Sequence, residues 1–203
     1  MSSNEPWLLA IDAKGLDSCG FWLEYDRKKS SLELVRLMEC KVINPSDGNI
    51  TFELKGRSWR ELSQYHVLPF SMNTPIISGQ LKMAIEEIVP DSDVFFFPVT
   101  IYHPSGASFN HWALVPLTEV PCLDLAESEI TKWIVPNEIA LFYKKLCFLP
   151  GCLGDKDIVR NMHLTNQILL SNNLKEVIDR YSKENVRFLR DFEIQPSFSD
   201  LRP

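Results

Sequence analysis

Four histidines, His66, His103, His111 and His163, are the first residues whose chemistry could define a function. His103 and His111 stand eight apart across Pro104-Ser105-Gly106-Ala107-Ser108-Phe109-Asn110, a polar loop tip, with no cysteine or carboxylate nearby at ligand spacing. No metal site is expected. Ser78 lacks the Gly-x-Ser-x-Gly elbow that lifts a nucleophilic serine onto a strained turn, and its place before an apolar helical stripe reads as a cap. An enzyme would have to build its site from scattered groups, of which His103, His111 and a carboxylate such as Asp124 are the available set. No catalytic residue is assigned. Gly151-Cys152-Leu153-Gly154-Asp155-Lys156 has glycines and a lysine but neither the four-residue spacer nor the Gly-Lys-Ser/Thr end of a phosphate loop, and Gly-x-Gly-x-x-Gly is absent. No cofactor is expected.

An acidic stretch stands out instead. From Glu119 to Glu129 the chain carries Glu119, Asp124, Glu127 and Glu129 and no Lys or Arg. Cys122-Leu123-Asp124-Leu125-Ala126-Glu127-Ser128-Glu129 begins as a strand and ends as a polar turn, so its carboxylates should project together. Such a group serves either as a solvated edge that discourages sheet-to-sheet aggregation or as a patch that steers a basic partner. Trp112 and Trp133 have the size to anchor an interface, although tryptophans fill cores more often. Asp124, Glu127, Glu129, Trp112 and Trp133 are thus the candidate partner-binding residues.

The chain has 203 residues, 45% hydrophobic and 24% charged, with Gly and Pro at 8 + 13 = 21, which excludes disordered, collagenous and linker-like classes. Its net charge of −6 argues against a general nucleic-acid binder, which needs a basic stripe to displace counterions. Met1 to Trp7 show no basic n-region or apolar h-region, and apolar runs such as Val94 to Val99 fall far short of the roughly 20 residues of a spanning helix. A soluble, cytoplasmic protein is expected. Five cysteines, Cys19, Cys40, Cys122, Cys147 and Cys152, form an odd, scattered set that suits a reducing compartment and buried thiols. Cys147 and Cys152 flank Pro150-Gly151, a loop that could bring their thiols together.

Positioning these residues requires a scaffold, and its outline is legible. Short apolar runs at Trp7 to Ile11, Gly20 to Tyr25, Leu32 to Leu37 and Ile50 to Leu54, separated by turn residues, predict a β meander over residues 1–68. From Thr74 a unit appears that recurs. Ile76-Ile77-Ser78-Gly79-Gln80-Leu81-Lys82 leads to Ile85-Glu86 and then Val94-Phe95-Phe96; Leu169-Leu170-Ser171-Asn172-Asn173-Leu174-Lys175 leads to Ile178-Asp179 and then Val186-Arg187-Phe188. In each copy a strand ends at a capping serine, a helix presents apolar residues three or four apart, and a second strand follows. Between the copies lie further short strands divided by Pro116, Pro121, Pro136 and Pro150. The expected fold is α+β, mostly antiparallel short-stranded sheets with two pseudo-repeated strand-helix-strand units. A β-rich subdomain over 1–68 and a repeat-containing region over 69–203 should pack as one integrated domain.

The Ser-x-x-Leu-Lys-x-x-Ile-acid unit at Ser78 and Ser171, Val94-Phe95-Phe96-Phe97-Pro98-Val99, Cys122-Leu123-Asp124 with Ser128-Glu129, Ile158-Val159-Arg160 and Val186-Arg187-Phe188 carry a family resemblance. The chain resembles the immunity proteins of bacterial polymorphic toxin systems, in a group first catalogued as a domain of unknown function. The likeness covers residues 74–194. It departs where Val159 replaces an aromatic and where Leu189-Arg190 stand in the place of Phe97-Pro98. It implies a stoichiometric, non-enzymatic inhibitor that plugs or blocks a cognate toxin delivered in bacterial competition, for example by type VI secretion. The expected toxin acts in the cytoplasm as a nuclease, an NAD-consuming or another nucleotide-targeting enzyme, basic enough to meet the acidic stretch. The alternative is an adaptor or scaffold of secretion machinery, with an enzyme using His103, His111 and Asp124 behind it.

Overall fold

A computed structural model describes residues 5–11, 21–56, 59–68, 74–104, 106, 108–136, 139–183, 185–190 and 192–193. The N-terminal Met1 to Asn4 and Cys19 lie outside them. The strands are β1 (Trp7–Ile11), β2 (Phe21–Tyr25), β3 (Ile50–Gly56), β4 (Val67–Leu68), β5 (Ile76–Ile77), β6 (Val94–Tyr102), β7 (Ser108–Pro116), β8 (Glu119–Val120), β9 (Glu129–Val135), β10 (Ile139–Leu146), β11 (Ile158–Asn161), β12 (Ile168–Leu170), β13 (Val186–Leu189) and β14 (Phe192–Glu193). Among the described residues two α-helices, α1 (Gly79–Glu86) and α2 (Asn172–Tyr181), follow β5 and β12. The fold is α+β and mostly sheet.

The strands form three sheets, ordered β13-β1-β12-β11-β8, β2-β3-β6-β7-β5-β4 and β14-β10-β9. The two larger sheets are mixed, because β3 runs parallel to β6 and β8 runs parallel to β11. Two expectations need correction. Residues 1–68 are not a meander: β1 pairs with β12 and β13 near the far end of the chain, while among the described strands only β2 and β3 pair with each other inside that span. Leu32 to Leu37 is not a strand either, since Leu34–Met38 is a 3-10 turn with Leu37 fully buried. The apolar spacing there changes from two, at Leu32 and Leu34, to three, at Leu34 and Leu37, and the eclipsed faces of a 3-10 turn match that second period. Pro98 is tolerated inside β6 because the parallel pairing with β3 starts one residue later, at Val99, so no ladder bond is asked of it there.

Alternation of side chains places the core in three clusters. On β5, Ile76 packs with Phe21, Phe52 and Phe97, whereas Ile77 packs with Leu81 and Ile85 of α1. On β12, Leu170 joins that same helix-bearing cluster, whereas Leu169 turns to Cys122, Leu146 and Phe148. The two larger sheets therefore each give one face to a central layer that holds both helices. Period two in the strands requires this.

The helices begin alike. Ser78 Oγ accepts from the Leu81 amide at 3.3 Å and Ser171 Oγ from the Leu174 amide at 3.2 Å, each closing one orphan donor of the first turn. Their surroundings match too. Ile77 stands between Val67 and Trp112, and Leu170 between Ile158 and Trp7. Phe96 faces Leu114 across the ladder, and Phe188 faces Leu9. Lys82 lies over Trp112 and Phe96 and pairs with Glu86; Lys175 lies over Trp7 and Phe188 and pairs with Asp179. A bond between halves of the chain comes from Lys156, whose ammonium reaches the buried Asp93 carboxylate at 2.8 Å. Another comes from the fully buried Arg160, which donates to the carbonyls of Thr165 at 2.6 Å and Leu37 at 3.3 Å.

Candidate partner-binding surface

The acidic stretch folds as a tight turn feeding β9. Asp124 directs one carboxylate oxygen to the amides of Ala126 and Glu127, at 3.0 and 3.2 Å, and its own amide donates to the Cys147 carbonyl at 2.9 Å. A carboxylate that accepts from amides two and three residues ahead is an Asx turn, which explains why Asp opens this bend. Ser128 locks the other side, accepting from the Cys147 amide at 2.9 Å and donating to the Cys147 carbonyl at 3.2 Å. Glu127 is exposed and Glu129 is exposed in an ion pair with Lys144 at 3.0 Å. Asp124 thus holds the shape while Glu127 and Glu129 face water.

Of the two tryptophans, Trp133 shares this region. It lies on β9, half-buried against Leu146, Phe148 and Val159 beneath the small sheet. Trp112 belongs to another sheet, on β7 beside the start of α1, where a Cβ on Gly79 would stand 3.1 Å from its ring. The structure therefore places Glu129 and Trp133 on one hairpin and Asp124 and Glu127 in the turn that leads into it, and leaves Trp112 with the central layer.

Sequence reasoning missed the face opposite Trp133. Ile134 and Phe142, on β9 and β10, are 61% and 57% exposed, and Leu125 at the tip of the acidic turn is 41% exposed. Phe142 pairs in register with Lys132, whose ammonium lies 5.9 Å from the ring. The signal was present as the alternation Trp133-Ile134, but which member faces the core depends on pairing with β10, whose register shifts several times. A second missed arrangement joins distant chain segments: Tyr102 Oη donates to Asp26 at 2.6 Å and Glu53 at 3.1 Å, with Lys29 over its ring. That bond holds Asp26 below the usual carboxylate range, while Lys55 does the same chiefly for Glu53.

His103, His111 and Asp124, the set the sequence offered for catalysis, are not brought together. His111 faces Val99 on β6, and His103 lies four positions further along that strand line, about 13 Å at strand rise. Asp124 belongs to a different part of the fold. His111 is buried, its Nδ1 has no partner among the described residues, and burial pulls it down to about 4, so it is neutral near pH 7. Ser78 Oγ and His66 Nδ1 are 2.8 Å apart, the atoms of a nucleophile and its base. Yet Ser171 bonds Asp157 at the corresponding place before α2, where no imidazole stands. What the two serines share is the helix cap. Among the described residues no group of three or more His, Cys, Asp or Glu could hold a metal ion, and no helix is long and apolar enough to cross a membrane.

A sequence model described as the immunity protein family Imm11 matches residues 50–191, from the start of β3 to just past β13. That is 142 of the 203 residues. No curated protein matches the chain.

Proposed function

The chain belongs to the Imm11 immunity protein family, and on that premise we propose that it neutralises one cognate bacterial toxin by stoichiometric binding and occlusion. The toxin acts in the cytoplasm and presents a basic surface, as an enzyme that attacks nucleic acid or a nucleotide would. No catalytic group of the immunity protein takes part. The contact is the β9–β10 hairpin and its acidic turn, with Glu127 and Glu129 steering approach and Ile134 and Phe142 buried at the centre.

The observation that supports this surface most is that one hairpin exposes Ile134 and Phe142 together with Glu129, and the turn leading into it exposes Glu127. Isolated exposed apolar residues are ordinary, but aromatic and aliphatic side chains rimmed by charge are what protein interfaces bury. Trp112 remains a candidate anchor on a separate face. We further propose that the units around α1 and α2 are related copies, supported by the equal ladder registers and the matched lysine-over-tryptophan contacts, and that residues 1–68 and 69–203 act as one body, supported by strand pairs that join them.

Co-expression tests the reading. The chain is expected to rescue cells from the toxin encoded beside it and to co-purify with that toxin at fixed stoichiometry. Rescue without co-purification, or neither, would reject occlusion. Binding without protection would indicate the adaptor role.

A further inference from the structure

Cys122 is wholly buried after β8, and Cys152 is half-buried in the turn that follows Leu149. The backbone draws them together: the Leu149 amide donates to the Cys122 carbonyl at 2.8 Å, and the Cys152 amide donates to the Leu149 carbonyl at 3.2 Å. Leu123 pairs with Phe148 alongside. Both cysteines pack on the cluster under the small sheet, and their thiols lie close enough for each to shift the other's ionisation. Cys147, which the Pro150-Gly151 loop could have brought to Cys152, instead directs its thiol to the Glu127 carbonyl at 3.6 Å.

We propose that Cys122 and Cys152 are an oxidation site that closes to a disulfide behind the acidic turn. The Cys122 thiol beside it holds Cys152 below the usual thiol range, so the half-exposed sulfur is the one that meets an oxidant. With oxidised glutathione, the Cys152 thiolate attacks one glutathione sulfur and expels the other half as a thiolate. Cys122 then loses its proton, attacks the Cys152 sulfur and expels the second glutathione. One S–S bond breaks and one forms, two electrons pass to glutathione, and the two thiol protons end on two glutathione molecules. The new bond ties the base of the hairpin formed by β9 and β10, which lies wholly between the two cysteines in the chain.

The test needs no toxin. The full chain, prepared reduced, is incubated with excess oxidised glutathione, alkylated, and analysed by intact mass and peptide mapping. The expected result is a chain that takes up two fewer alkyl groups than the reduced control and has lost two hydrogens, with a dithiothreitol-reversible cross-link between the peptides holding Cys122 and Cys152. Closing a loop of this length should also raise Tm by roughly 5 to 15 °C. Cys152→Ser abolishes the mass loss, whereas Cys147→Ser preserves it. An unchanged mass, a cross-link from Cys152 to Cys147, Cys40 or Cys19, or a persistent glutathione adduct on Cys152 would each overturn the assignment, and all are read on the unmutated chain.

Discussion

His111 is held neutral by burial rather than by a partner, and this gives it a role in acid sensitivity. Its folded pKa of about 4 lies below the ordinary value of 6.5. Between those values the unfolded chain binds the proton and the folded chain does not, so stability is lost as pH falls from about 6.5 toward 4. From pH 7 to pH 5 this amounts to roughly 2 kcal/mol. His111→Gln should narrow the difference in unfolding free energy between those two pH values by about that amount, as measured by urea denaturation; an unchanged difference would assign the acid sensitivity elsewhere. At the same scale, Ile134→Ser and Phe142→Ser should leave thermal stability nearly unchanged while weakening toxin binding at least about tenfold, since large exposed side chains cost little to remove until a partner covers them. Equal Kd values would move the interface off this face. The capping serines were readable because a cap and its amide lie three residues apart. The Cys122–Cys152 contact and the Tyr102 bonds to Asp26 and Glu53 were not, because they join segments that only the tertiary fold brings together.

Each helix has one stripe that the central cluster buries, and the same leucine position anchors both. Leu81 and Leu174 are fully buried, so Leu81→Ala and Leu174→Ala should each cost about 2 to 5 kcal/mol through loss of contact and the void left behind. The measurement is chemical denaturation of each variant. A cost below about 1 kcal/mol at either site would mean that the central layer collapses around the gap. Helices were legible from apolar residues three or four apart behind a cap, and most strands from alternating runs bounded by turn residues. Pairing was less legible. Val67 and Leu68 gave too short a run to signal a strand, and in β10 Tyr143 and Leu146 both turn to the inner cluster although they stand three apart, which strict alternation forbids and the register shifts against β9 allow. Leu32 to Leu37 misled because Leu32 and Leu34 have the spacing of a strand until Leu37 sets the period of a 3-10 turn.

Charge acts over the whole molecule. A net charge of −6 favours encounter with a basic toxin even before the surfaces touch, and the exposed Glu127 and Glu129 concentrate that field at the hairpin. Glu127→Lys combined with Glu129→Lys should slow association roughly tenfold at low ionic strength, with the deficit shrinking as salt is added, because such charges are screened within about 10 Å at 0.1 M. Stopped-flow mixing with purified toxin measures it, and a rate insensitive to both charge and salt would show that steering plays no part. Asp124→Lys is a different experiment: it removes the acceptor of two turn amides and should lower Tm before it affects binding. At this scale the acidic balance was plain from composition, but the division of labour among three carboxylates needed coordinates.

β1 sits between β12 and β13, and its Trp7 indole donates to Asn172, 165 residues further along. During synthesis that strand emerges early and must remain unpaired until its neighbours leave the ribosome, a wait on the order of ten seconds at ordinary elongation rates. A chaperone that covers apolar Leu8 and Leu9 in the interval would govern the yield of native protein.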